Sequence, residues 1–105
     1  MDHLTIDVRD VDGACVLALA GELDLASSPS LFERAEAVLP GGRALVLDLR
    51  ELTFIDSTGL GAIAGIERSA EKAGTTLKLV PGPSSVQRVF EVSGTAGAFT
   101  WIDAP

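Results

Sequence analysis

The sequence predicts an α/β fold in which a largely parallel sheet includes one antiparallel strand pair. Short apolar runs alternate along the chain with segments of helical periodicity, a pattern typical of β-α-β units. An Asp-Gly pair at residues 12–13 separates the first two apolar runs, as in a β-hairpin. The length of 105 residues matches one domain, which we place at residues 1–105.

The first part of the chain predicts a hairpin followed by a helix. Residues 4–8 alternate between apolar and polar side chains, as in a half-buried strand, and residues 14–20 are continuously apolar, as in a more buried strand. Ser28 suits a helix N-cap, and Pro29 suits the first helical position, where its missing N–H costs nothing. The Pro-Gly-Gly sequence at residues 40–42 ends this helix.

The middle of the chain predicts a buried strand and a second helix. Residues 44–49 form a short apolar run typical of a strand covered on both faces, and residues 53–56 are expected to form a connection. Ser57 fits the N-cap of the helix that follows, and Asp56 places negative charge near the positive end of the helix dipole.

The last part of the chain predicts two more strands and a third helix between them. The strands are expected at residues 76–80 and 99–102, and Ser84 or Ser85 is expected to cap the helix. The element order is therefore β-β-α-β-α-β-α-β. Strands that alternate with helices in this way form a parallel sheet, to which the hairpin adds the antiparallel strand.

The charge of the chain limits its partners. The sequence has 15 Asp and Glu residues and 8 Lys and Arg residues, a formal net charge of −7. Nucleic acids and anionic membranes both attract basic proteins, so neither is expected as a partner. The first residues carry no basic or apolar leader, and no apolar run approaches the ~20 residues of a membrane span. We therefore expect a cytoplasmic protein, monomeric by default.

The sequence offers little for catalysis. Cys15 is the only cysteine, which excludes an internal disulfide and a multi-cysteine zinc site, and His3 is the only histidine that could activate a serine. Gly59, Gly61 and Gly65 loosely resemble a dinucleotide-binding loop, but the acidic residue expected about 20 residues later is missing. We therefore predict no enzyme activity, no catalytic residue, no cofactor and no bound metal.

The same three glycines need a different explanation. Each costs a helix about 1 kcal/mol relative to alanine. A sequence tolerates that cost where another backbone or a ligand must come close. Two explanations remain open: tight packing of the helix on its own sheet, or close approach of a binding partner.

One sequence element is specific to a known family. The stretch from residue 47 to residue 61, and above all its Asp56-Ser57-Thr58-Gly59-Leu60-Gly61 segment, resembles the signature of STAS domains, more narrowly of bacterial anti-sigma factor antagonists. Gly21-Glu22-Leu23-Asp24 upstream and residues 89–94 downstream match in the same order, so the resemblance covers almost the whole chain. It implies a four- to five-stranded mixed sheet with about three to four helices.

The resemblance also implies a partner switch. In that family the unmodified protein binds an anti-sigma factor, which is itself a serine kinase, and so frees a sigma factor. Phosphorylation of the serine that corresponds to Ser57 ends binding, and a metal-dependent serine phosphatase restores it. ATP and magnesium belong to the kinase. The implied docking surface consists of Glu22, Asp24, Ser28, Asp56, Thr58, Gly59, Leu60 and Gly61.

An alternative function stays open at this point. STAS-like domains also serve as non-switching interaction or scaffold subunits of transport and signalling assemblies. The intact serine among glycines favours the switch.

Overall fold

A five-stranded mixed sheet in which the strands lie side by side in chain order forms the centre of the fold. The computed structural model describes residues 3–105; Met1 and Asp2, which belong to the start judged to carry no leader, lie outside the described residues. The strands are β1 (Thr5–Val11), β2 (Ala14–Leu23), β3 (Leu45–Ile55), β4 (Leu77–Val80) and β5 (Thr100–Trp101). The helices are α1 (Ser28–Val38), α2 (Ser57–Lys72) and α3 (Ser84–Val92). Two short 3₁₀ turns, Leu39–Gly41 and Ala96–Ala98, complete the described elements.

The connections place all three helices on one face of the sheet. β1 and β2 are antiparallel, and every later neighbour pair is parallel. Crossovers between parallel strands are right-handed in nearly all proteins, and each crossover here moves one place in the same direction. The composition of the main core confirms that the helices share one face. It joins Leu31, Ile63 and Phe90, one from each helix, to three residues on the same face of the sheet: Leu17, Leu47 and Leu79.

The predicted hairpin and the alternation of strands and helices are confirmed. Asp12 and Gly13 have φ angles of 50° and 84°, as a two-residue turn between twisted antiparallel strands requires. The five strands and three helices follow the predicted order, with ends that differ by one to three residues in several elements.

β3 is longer than predicted. Residues 53–56 were expected to form a connection, but the strand continues to Ile55 because β2 pairs with it as far as Leu23. The register of β2 on β3 shifts twice along this stretch, so Leu52 and Ile55 are both buried although they lie three residues apart. Such irregularities break the period of two on which strand prediction depends.

The predicted cap of α1 is wrong by one residue. α1 begins at Ser28 itself, and Ser27 occupies the N-cap position. The Ser28 hydroxyl instead donates to the backbone carbonyl of Asp24 at 2.6 Å. The predicted cap of α3 at Ser84 or Ser85 is also wrong, because α3 begins at Ser84 and Pro83 occupies the N-cap position.

An ion pair between a buried carboxylate and a half-exposed arginine lies on the sheet face opposite the helices. Asp48 is 5% exposed, in the middle of β3. Its carboxylate accepts hydrogen bonds from Arg50 Nε at 2.9 Å, Arg50 Nη2 at 2.7 Å and the Arg50 backbone N–H at 3.1 Å. The Arg50 hydrogen bonds hold the pKa of Asp48 below its usual value, because they stabilise the charged form.

None of the helices within residues 3–105 combines the length and the apolar character needed to cross a membrane.

The Asp48–Arg50 pair predicts a pH-dependent contribution to stability. Because the folded-state pKa of Asp48 is lowered, the contribution is complete above the unfolded-state pKa of about 4 and is lost as the pH falls through the folded-state value. Asp48→Asn should lower the free energy of unfolding by about 1 kcal/mol near neutral pH. Urea unfolding from neutral to acidic pH should show that deficit shrinking below about pH 4.

Asp103→Asn, at an exposed position, is the matched control and should show no comparable deficit. A deficit for Asp48→Asn that stays constant across the whole pH range would contradict the assignment.

Candidate functional site

The site forms where β3 ends and α2 begins. Asp56 has an extended backbone, and its Oδ1 accepts a hydrogen bond from the N–H of Gly59 at 2.8 Å. Asp56 is therefore the N-cap of α2, and the prediction of Ser57 as the cap is wrong. Ser57 is instead the first helical residue, and it is exposed. Its hydroxyl takes no part in capping the helix and is free for other chemistry.

The loop between β2 and α1 is held together by its own polar groups. Asp24 Oδ1 accepts the backbone N–H groups of Ala26 and Ser27, each at 3.1 Å. The Ser27 hydroxyl accepts the N–H of Asp24 at 3.0 Å and donates to the carbonyl of Glu22 at 2.8 Å. This network fixes the loop, and the first residue of α1 adds to it, because the Ser28 hydroxyl donates to the Asp24 carbonyl.

The two loops are neighbours because β2 and β3 are parallel. Their last paired residues are Leu23 and Ile55, so the segments that follow leave the sheet at the same end. The N–H of Asp56 donates to the carbonyl of Leu23 at 3.2 Å, which ties the start of α2 to the end of β2. Ligand sites of open α/β sheets commonly form at this carboxyl end of the strands.

The glycines of α2 serve different purposes. A Cβ at Gly59 would lie 2.6 Å from the Leu23 carbonyl oxygen, and a Cβ at Gly65 would lie 3.1 Å from the Phe32 ring. Packing within the chain therefore accounts for these two glycines. Gly61 is exposed, and a Cβ there would meet nothing within 4 Å. Close approach of a partner remains the available explanation for Gly61 alone.

The predicted docking residues gather at this end of the sheet but differ in accessibility. Ser57, Thr58 and Gly61 are exposed. Three acidic residues beside them are half-buried: Glu22, Asp24 and Asp56. Whether they contact a partner stays a prediction.

Three of the predicted docking residues lie beneath the surface instead. Ser28 is 4% exposed and Leu60 is 8% exposed, and Gly59 is buried against β2. Leu60 was expected to offer an apolar contact at the rim, but its helical position turns it into the core cluster. These residues support the site from below.

An apolar depression next to Ser57 was missed by the sequence analysis. Its lining includes Leu25, Pro29, Phe32, Thr58 and Ala62, from the β2–α1 loop and the facing sides of α1 and α2. Leu25 is 72% exposed, so its side chain is accessible at the edge of this depression. One signal could have found it: Leu31 and Phe32 are adjacent in α1, so only one of them can point fully into the core.

Other chemistry-bearing residues lie away from this site. Cys15 is buried in β2, and burial raises the pKa of its thiol, as expected of a packing residue. Within residues 3–105, no three His, Cys, Asp or Glu side chains come together in an arrangement that could hold a metal ion.

A family model and curated relatives all identify the chain as similar to the same family of proteins. The family model described as "Mlab, STAS domain" matches residues 6–101. The anti-sigma-B factor antagonist of Bacillus subtilis is 30% identical over 92 residues, which cover 88% of this chain and 84% of that protein. The anti-sigma-F factor antagonist RsfB of Mycobacterium tuberculosis is 37% identical over 101 residues, which cover 93% of this chain and 80% of that protein.

A solved structure extends the likeness to three dimensions. The crystal structure of an anti-sigma factor antagonist from Mycobacterium paratuberculosis superposes with a TM-score of 0.85 at 29% sequence identity. The match covers 94% of this chain and 85% of that one. It supports a single α/β domain with a five-stranded mixed sheet.

The assignment of the α2 cap predicts contrasting effects of two neighbouring substitutions. Asp56→Ala removes the acceptor of the Gly59 N–H and should lower the free energy of unfolding by about 1 kcal/mol. Ser57→Ala should change it by less than about 0.5 kcal/mol, because the hydroxyl is exposed and does not cap the helix. Urea unfolding of both variants measures the contrast, and the reverse ranking would return the cap to Ser57.

The glycines of α2 predict a second contrast. Gly59→Ala should destabilise the fold by about 1–3 kcal/mol, because the added methyl group meets the Leu23 carbonyl. Gly61→Ala should be neutral or stabilising by up to about 1 kcal/mol, because alanine favours an exposed helical position. Thermal unfolding distinguishes the two, and equal destabilisation would contradict the assigned packing role.

Proposed function

Because this chain belongs to the STAS domain family, we propose that it is an anti-sigma factor antagonist whose binding is switched by phosphorylation of Ser57. One observation carries the switch: Ser57 is exposed at the start of α2 while Asp56 caps the helix. A modified Ser57 therefore leaves the capping hydrogen bond intact. The proposal agrees with the names of the two relatives.

In the unphosphorylated state the chain binds an anti-sigma factor and frees a sigma factor. The docking surface consists of the exposed Ser57, Thr58 and Gly61 together with the apolar depression beside them. Leu25 and Phe32 supply apolar area that a partner covers, and the absence of a side chain at Gly61 lets the partner backbone approach α2. Glu22, Asp24 and Asp56 complement a basic partner.

Phosphorylation reverses the electrostatic part of this fit. A phosphate adds about −1.5 to −2 charges, which takes the net charge from −7 to about −9. In a covered interface, two unit charges about 6 Å apart repel by roughly 3 kcal/mol at an effective dielectric constant of 20. A full reversal of the bound population needs about 5.5 kcal/mol, and the bulk of the phosphate at a close contact supplies the remainder.

The phosphate does not threaten the fold itself. It is attached at the N-terminus of α2, where backbone N–H groups and the helix dipole favour negative charge. The switch therefore acts on the complex and leaves the free chain folded.

The partners provide the chemistry of the cycle. The anti-sigma factor acts as a serine kinase and transfers the terminal phosphoryl group of Mg-ATP to Ser57 Oγ, with loss of the hydroxyl proton and release of ADP. A metal-dependent serine phosphatase hydrolyses the ester and returns inorganic phosphate. The nucleotide and the metal belong to these enzymes, and the chain acts in the cytoplasm by binding alone.

The proposal predicts opposite behaviour of two Ser57 variants. Against candidate anti-sigma kinases from the same genome, Ser57→Ala should bind as tightly as the unmodified protein. Ser57→Asp should bind at least about tenfold more weakly, because it places a charge in the interface. Isothermal titration calorimetry measures both affinities. Incubation with the kinase and Mg-ATP should add one phosphate to the wild type, detected by intact mass, and none to Ser57→Ala.

Ser84→Asp is the matched control, since Ser84 is the exposed first residue of α3 as Ser57 is of α2. It adds the same charge at the same helical position, outside the docking surface, and should bind normally. If Ser57→Ala and Ser57→Asp bind equally and no phosphate is added, the chain is a non-switching interaction subunit.

A further inference from the structure

The outer edge of β1 is a regular, exposed strand edge. β1 pairs with β2 on one side, and no other strand within residues 3–105 pairs with its far side. The backbone groups that face outward can be identified. Cys15 N–H donates to Ala44 O at 2.9 Å, toward β3, so its β1 partner Asp10 has its backbone groups directed away from β2. By alternation, Ile6 and Val8 also present free N–H and C=O groups outward.

The charges along this edge are self-complementary. Asp7 and Arg9 flank Val8 on the sheet face opposite the helices, and they already form an ion pair of 2.8 Å within the strand. If a second β1 pairs antiparallel about a two-fold axis at Val8, each Asp7 lies opposite the Arg9 of the other copy. A pairing centred one residue earlier would place the two Asp7 residues opposite each other, which is unfavourable.

We propose that β1 pairs with β1 of a second copy about a two-fold axis at Val8, which joins two sheets into one continuous sheet. Val8 of one copy lies opposite Val8 of the other, and Ile6 of each copy lies opposite Asp10 of the other. These three residue pairs give about six main-chain hydrogen bonds. Val8 is 49% exposed on the helix-bearing face, and its side chain meets its own copy there. Two-fold interfaces require this self-complementarity.

The same observations set the strength of the dimer. A single strand pair is small beside a standard protein interface, and two chains of net charge −7 repel each other. The dimer is therefore weak and forms at high concentration, in place of the monomer expected by default. It does not rest on the proposed function: Ser57 follows β3, two strands away from this edge, and stays accessible in both copies.

Charge exchange across the axis tests the register. Sedimentation equilibrium of the full chain up to about 1 mM should show reversible dimerisation. Asp7→Arg and Arg9→Asp should each raise the dissociation constant at least about tenfold, because like charges then face each other twice. The double variant Asp7→Arg/Arg9→Asp should restore dimerisation, because the opposite charges face each other again.

Glu36→Arg is the matched control, at an exposed position of α1, with the same change in net charge as Asp7→Arg. Both substitutions reduce the overall repulsion, so only a local contact can explain a weaker Asp7→Arg dimer. Val8→Pro tests the backbone independently: it removes an outward N–H, which an edge strand tolerates, and should abolish dimerisation while circular dichroism stays unchanged.

Three results would overturn the proposal. The wild type could sediment as a monomer throughout the concentration range. The single charge variants could dimerise as the wild type does, which would place the contact elsewhere. The double variant could remain monomeric although both single variants are folded, which would contradict the register at Val8.

Discussion

The carbonyl of Leu23 is the point on which the site depends. It accepts the N–H of Asp56, and the Cα of Gly59 packs so closely against it that a methyl group has no room. The end of β2, the cap of α2 and the first turn of α2 are thereby fixed to one another. A side chain at residue 59 would push the helix away from the strand and move Ser57 relative to the Asp24 loop. The geometry of the exposed serine is therefore set by a buried carbonyl.

In this arrangement the residues that stabilise α2 are different from the residues that are accessible to a partner. Asp56 holds the helix, Gly59 lets it sit close to the sheet, and Leu60 anchors it in the core. Ser57 and Gly61, on the accessible side of the same turns, have no comparable structural duty. Residues without such a duty can be modified or covered by a partner at little cost to stability. The surface beside α2 can thus change its charge while the fold below it stays the same.

The hairpin and the element order could be predicted from the sequence, because local signals specify both of them. Asp12-Gly13 has one favourable turn type, and parallel strands must bring the ends of β2 and β3 together. Other features depend on contacts that sequence patterns do not reveal. Asp56 and Ser57 are both good caps, and the structure assigns the cap to Asp56, whose carboxylate accepts the Gly59 N–H and whose own N–H donates to the Leu23 carbonyl. The end of β3 could not be predicted because the register of β2 on β3 shifts twice and breaks the alternating pattern. The space around a glycine depends on its neighbours in the fold, which the sequence pattern does not specify.

The sheet has one more consequence, for the way the chain folds. Every strand lies next to the strand that precedes it in the sequence, from β1 to β5. Only the β1–β2 connection is a tight turn, and each parallel pair is joined by one helical crossover of about twenty residues. No strand therefore has to wait for a segment beyond the next β-α unit before it can pair. The sheet can grow in the order in which a ribosome delivers it, with each new β-α unit docking on a finished edge. β5, which contributes only Thr100 and Trp101, closes the sheet last.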